Sequence, residues 1–173
     1  MSSINLNERR VAGSMLVLGF GLLMVAAILF TLDDASFSAA LQAGLIVTVL
    51  GLATLELAVQ EAGQQLLGRL GTIAFLIGTL PWLIADAMGT FVVDLERNYV
   101  VLACLSVAAC GLAMLRAGLL PVVVGWASIA WALAWGVLYL GRVVQAPLGP
   151  NLAIVVFGLF LLLRPAQGRG PAR

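Results

Sequence analysis

Six long apolar runs, separated by short polar breaks, constrain this chain more than any other feature. They cover about 11–32, 39–59, 70–91, 99–115, 119–140 and 146–163. Most approach the ~20 residues that a helix needs to cross about 30 Å of hydrocarbon. They are too long and too continuous for strands, and they lack a period of two. The breaks between them are Asp33-Asp34-Ala35-Ser36, Gln60 to Gln65, Asp94 to Asn98, Arg116-Ala117-Gly118 and Arg142 to Pro150. Ser36 or Ser38 is placed to cap the second run, and Pro121 falls in the first turn of the fifth, where a missing N–H does no harm. The sixth run is short unless it begins near Ala146. The tail 164–173 follows Arg164-Pro165 and is expected to be disordered. The first run exceeds the ~7–15 residues of a signal-peptide core and has no small-residue cleavage site after it, so it is expected to be a retained span.

A soluble chain of this size needs a polar skin. Here 62% of residues are hydrophobic and 10% are charged, against roughly 25% charged in an average soluble domain. Lipid removes that requirement, since apolar side chains can face outward in it. The expected fold is therefore an all-α polytopic bundle of six transmembrane helices, a single domain over 1–173.

Orientation follows from the cations, all of which are arginine. With a cytoplasmic N-terminus, the inner side holds Arg9, Arg10, Arg69, Arg116, Arg164, Arg169 and Arg173, and the outer side holds Arg97 and Arg142. Such an excess marks the cytoplasmic side. It predicts an even number of spans with both termini inside, in the inner (cytoplasmic) membrane of a bacterium. The acids oppose it. Asp33, Asp34, Asp86, Asp94 and Glu96 lie outside, and Glu8, Glu56 and Glu61 inside.

Several chemistries are disfavoured. There is no histidine and the net charge is +1. That removes the commonest metal and haem ligand and the usual proton shuttle, and it gives no basic field for nucleic acid. No GxSxG, CxxC, HExxH or phosphate-binding loop occurs. Cys104 and Cys110 would lie about 9 Å apart along one helix and point about 120° apart, so they cannot bridge. The expectation is no enzyme, no catalytic residue, no metal and no cofactor.

What remains are packing patterns and a few buried polar groups. Small residues recur near heptad spacing at Gly44, Gly51 and Ala58, at Gly71, Gly78 and Ala85, and at Ala127, Ala130, Ala134 and Gly141. Such stripes let helices approach closely, either within one bundle or across a dimer face. Trp131, Trp135 and Tyr139 share one face of span five, either as packing and interfacial anchors or as a binding surface for a membrane-soluble cofactor. Glu56 lies inside span two, with Gln42 and Gln60 within about 40° of it around the helix. Asp86 lies in the outer half of span three, with Thr72 and Thr79 at spacings of seven. Facing one another, these stripes would line a path for protons or cations. Paired with arginines, Glu56 to Arg69, Arg10 or Arg116 and Asp86 to Arg97 or Arg142, the carboxylates would only fix helix positions.

The C-terminal third carries Arg116-Ala117-Gly118-Leu119-Leu120-Pro121 leading to Gly125-Trp126, then Pro147-Leu148 and Ile154-Val155-Val156-Phe157-Gly158-Leu159-Phe160-Leu161. In this pattern it resembles a broad family of uncharacterised bacterial six-span membrane proteins, although its last helix lacks the acid and the lysine expected there. The resemblance implies a six-helix membrane fold and no activity. The leading functional expectation is an accessory or scaffold subunit that packs against membrane lipids, other integral membrane subunits or copies of itself. The alternative is a small transporter or channel for protons, cations or an apolar solute, built on Glu56 and Asp86.

Overall fold

The computed structural model describes residues 6–29, 34–90, 93–144 and 146–163. These residues form six helices: α1 Leu6–Leu29, α2 Asp34–Gln60, α3 Gln65–Ala87, α4 Val93–Arg116, α5 Val122–Leu140 and α6 Asn151–Leu163. Five are long and apolar enough to cross a membrane, and α6 has 13 residues. The expected all-helical class and helix number hold. The tail 164–173 lies outside the described residues.

Helices outrun the apolar runs where polar residues suit a helix end. α4 takes in Asp94 to Asn98, expected as a break, because Asp94 and Glu96 fall in its first turn, where the helix dipole favours anions. α5 begins later than its run. Pro121 is its N-cap, with extended backbone (φ −59°, ψ 142°), and is not in the first turn. Ser38 lies inside α2, so it does not cap it. α3 and α4 end on glycines with φ of 64° (Gly89) and 66° (Gly118), a conformation that costs glycine nothing. There, bonds from Thr90 N–H to the Ala85 carbonyl and from Leu119 N–H to the Met114 carbonyl close the helix ends.

Successive helices run up and down, and glycines set their contacts. On the α1–α2 seam, Gly19 meets Gly44 and Thr48, while Leu16 lies on Gly51. On the α3–α4 seam, Gly71 meets Ser106 and Cys110, and Gly78 meets Tyr99 and Leu102. A Cβ on Gly13 would stand 2.8 Å from the Gly158 carbonyl oxygen of α6. α1 thus sits between α2 and α6, α3 between α2 and α4, and α5 packs mainly on α4. α6 touches α4 and α5 only lightly. Arg9, 8% exposed, donates from Nε to the Leu161 carbonyl at 3.2 Å, tying the start of α1 to the end of α6, where cations are favoured.

The bundle has an apolar interior and an apolar exterior. Leu16, Leu23, Leu45, Leu55, Phe75, Tyr99 and Phe157 are buried, while Leu18, Ile28, Leu66, Ile77, Val123 and Val137 are more than half exposed. A surface of that kind suits hydrocarbon and not water. One end of the bundle carries Arg9, Arg10, Arg69 and Arg116 with Glu8, Glu56 and Glu61; the other carries Asp86, Asp94 and Glu96 with Arg97 and Arg142. Among the described residues both ends mix signs, with arginine in excess at one and acid at the other. Cys104 and Cys110 are free and buried.

Candidate functional site

Asp86, near the end of α3, is met by two side chains from the start of α2. Ser38 Oγ donates to Asp86 Oδ2 at 2.5 Å, and Gln42 Nε2 donates to the same oxygen at 2.9 Å. Gln42 Nε2 also lies 3.1 Å from Ser38 Oγ. Ser38 and Gln42 are one turn apart, so both reach the carboxylate from one helix face. The charge also lies near the positive end of the α2 dipole. The partners expected from the sequence, Arg97 and Arg142, do not join: Arg97 pairs with Asp94 at 3.7 Å. Neutral donors hold the carboxylate instead, because the start of α2 meets the end of α3, while Arg97 lies in α4 and pairs within its own helix. Gln42 stands out in the sequence as a polar residue within an apolar run. Ser38, placed by the apolar pattern as a cap, lies a turn inside α2 because the helix begins at Asp34.

Glu56 lies at the arginine-rich end, where Arg69 Nε donates to Oε1 at 2.9 Å, with the side chains 56% and 15% exposed. This matches one of the pairings expected. Gln60 is the exposed last residue of α2. Gln42 and Glu56 are 14 positions apart on one helix, about 21 Å along the axis. Leu45, Val49 and Leu52 occupy the stripe between them, and Leu45, Leu52 and Phe75 of α3 are buried in the core. Thr72 turns its hydroxyl onto the Gly68 carbonyl of its own helix. The two carboxylates thus clamp opposite ends of the α2–α3 hairpin, with apolar packing between.

The aromatic face of α5 is occupied by hydrogen bonds. Trp131 Nε1 donates to the Gly149 carbonyl and Trp135 Nε1 to the Ala146 carbonyl, each at 3.0 Å. The two rings lie 5.2 Å apart. The Tyr139 hydroxyl donates to Glu96 Oε1 at 2.6 Å, joining α5 to the start of α4. Trp131 stands nine residues before the end of α5, about 13 Å down its axis. The segment after α5 therefore folds back along the helix before α6 begins. This is why the last run, expected as a span from 146 to 163, becomes a helix only at Asn151. Residues 146–150 descend as turns, and buried Gly149 seats against the Trp135 ring. Non-helical backbone among apolar helices needs protein donors, and the two indoles supply two of them.

At the foot of this segment, Asn151 Nδ2 donates to the Tyr99 hydroxyl at 2.7 Å. Tyr99 is fully buried between Trp82, with ring centroids 4.7 Å apart, and Phe75, at 5.8 Å. The amides of Asn151, Leu152 and Ala153 bond to the carbonyls of Leu148, Gly149 and Pro150, so the start of α6 satisfies itself. Tyr99 and Asn151 were not singled out in the sequence. The signal available was an asparagine at the mouth of an apolar run.

The three small-residue stripes part company in the structure. Gly44, Gly51 and Ala58 of α2 are buried, as are Gly71, Gly78 and Ala85 of α3. Ala127, Ala130 and Ala134 of α5 and its C-cap Gly141 are exposed. They lie about 180° around α5 from its buried residues Gly125, Ser128, Ile129, Ala132 and Gly136.

Comparison with protein-family models, with curated proteins and with solved structures finds no match to this chain.

Proposed function

We propose that the protein is a non-catalytic membrane component that docks against another membrane helix, from a partner subunit or a second copy, along the outward face of α5. One observation carries this reading. The stripes on α2 and α3 are spent on contacts within the chain, whereas that on α5 is turned away from it. Small residues let backbones approach, and close approach holds helices together in lipid, where no hydrophobic drive operates between them. The apolar packing between Gln42 and Glu56 and the pairing of Glu56 with Arg69 favour this over a proton or cation path. On this reading Glu56→Gln and Asp86→Asn leave flux in proteoliposomes unchanged. The charged ends fit an inner-membrane protein with both termini in the cytoplasm, and the C-terminal resemblance to uncharacterised six-span proteins belongs to the same proposal.

The test is solubilisation in mild detergent followed by affinity capture and sizing. A complex that is lost on Ala130→Leu plus Ala134→Leu, with helix content retained, is the expected result. A lone monodisperse monomer, or a complex indifferent to both substitutions, defeats the reading.

A further inference from the structure

Trp131 and Trp135 hold the segment before α6 against α5, and α6 itself touches α5 only lightly on its way to the arginine-rich end. There an apolar groove of about 400 Å³ opens between them, lined by Leu120, Pro121, Phe160 and Leu163. Pro121 is the N-cap of α5 and Leu163 the last residue of α6, so the mouth of the groove lies where the two helices reach the bilayer surface. Arg116, exposed, ends α4 four residues before Leu120, across the tight turn at Gly118.

We propose that this groove holds one acyl chain of an anionic phospholipid whose phosphate is met by Arg116. A groove of about 400 Å³ with four lining residues is short for a helix, which presents several turns to a partner, and is of the order of one acyl chain. Its four lining side chains are all apolar, as a hydrocarbon chain requires. Charge complementarity decides the headgroup. At that end of the bundle Arg69 is paired with Glu56 and Glu8 and Glu61 also lie there, but Arg116 is the charged residue next to the groove in the chain, four positions before Leu120, and a cation beside a bilayer surface recruits anionic lipid. Pro121 offers no side-chain cap to the first amides of α5, so those N–H groups add to the attraction for a phosphate oxygen. The proposal does not use the outward face of α5, so either can fail while the other stands.

The full chain, delipidated in mild detergent, is titrated with phosphatidylglycerol or phosphatidylcholine of identical chains, and bound lipid is counted by native mass spectrometry. One phosphatidylglycerol is expected to bind about fivefold tighter than phosphatidylcholine, the worth of one arginine near an anionic headgroup. Arg116→Gln should erase that preference and Arg116→Lys restore it. Leu163→Trp, which fills the slot from an exposed position, should weaken both lipids. Arg97→Gln at the opposite end should change neither. Glycerol phosphate should not displace the lipid; displacement would reveal a plain anion site and overturn the proposal. Equal binding of the two lipids, or an unchanged preference in Arg116→Gln, would overturn it as well. Circular dichroism and sizing establish that each variant is folded.

Discussion

Arg142 occupies a left-handed conformation, with φ of 60°, in the turn that ends α5. Val143 N–H bonds to the Leu138 carbonyl and Arg142 N–H to that of Tyr139, the pattern that elsewhere in this chain is built on glycine. A side chain there costs on the order of 1 kcal/mol. Arg142→Gly is therefore expected to raise resistance to denaturation in detergent by about 1 kcal/mol, measured by a denaturant titration; no change would mean that the turn is not formed. Ser38 and Asp86 give a second prediction. A hydrogen bond to a charged acceptor contributes about 1.5–3 kcal/mol, less where a membrane reference state offers other partners. Ser38→Ala should cost about 1 kcal/mol in the native background and under half of that beside Asp86→Asn. Equal costs in the two backgrounds would mean that the hydroxyl does not reach the carboxylate. Glu56 and its arginine were legible in the sequence, because they flank a short link and face each other across it. The Asp86 partners were not, because three-dimensional register between α2 and α3 decided them.

Among elements, α6 departs furthest from what hydropathy foretells. An apolar run carries the same signal whether it is helical or extended, so 146–163 read as one span. The turn at Leu148, Gly149 and Pro150 and the indole donors on α5 divide it. Trp135→Phe takes the indole donor from the Ala146 carbonyl and should cost about 1 kcal/mol. Trp131→Phe should cost less, because the Gly149 carbonyl keeps the Leu152 amide. In each, a cysteine placed at Ala146 should react faster with a maleimide. Unchanged stability and labelling would mean that the segment does not lean on α5. The start of α4 differs from its apolar run by a few residues because charged residues in a first turn break an apolar run without breaking a helix. The stripes show a further limit. Spacing alone marks close-packing faces on α2, α3 and α5 alike, and only the arrangement of neighbours shows that the last is left uncovered.

For the whole molecule, hydropathy alone sufficed for the all-helical class and the number of helices, because hydrocarbon as solvent demands long apolar helices. The account rests on the outward faces of those helices lying in lipid. Leu70, Ile77 and Ile84 share one face of α3 and are 50%, 56% and 52% exposed. The decisive measurement is the accessibility of spin labels at these three positions, with Cys104 and Cys110 replaced by alanine, in reconstituted bilayers. Collision with dissolved oxygen should peak at Ile77 and fall toward Leu70 and Ile84, while a water-soluble nickel chelate should show the reverse order. A label at Ile77 that meets the nickel reagent as freely as its two neighbours would contradict a membrane-embedded bundle.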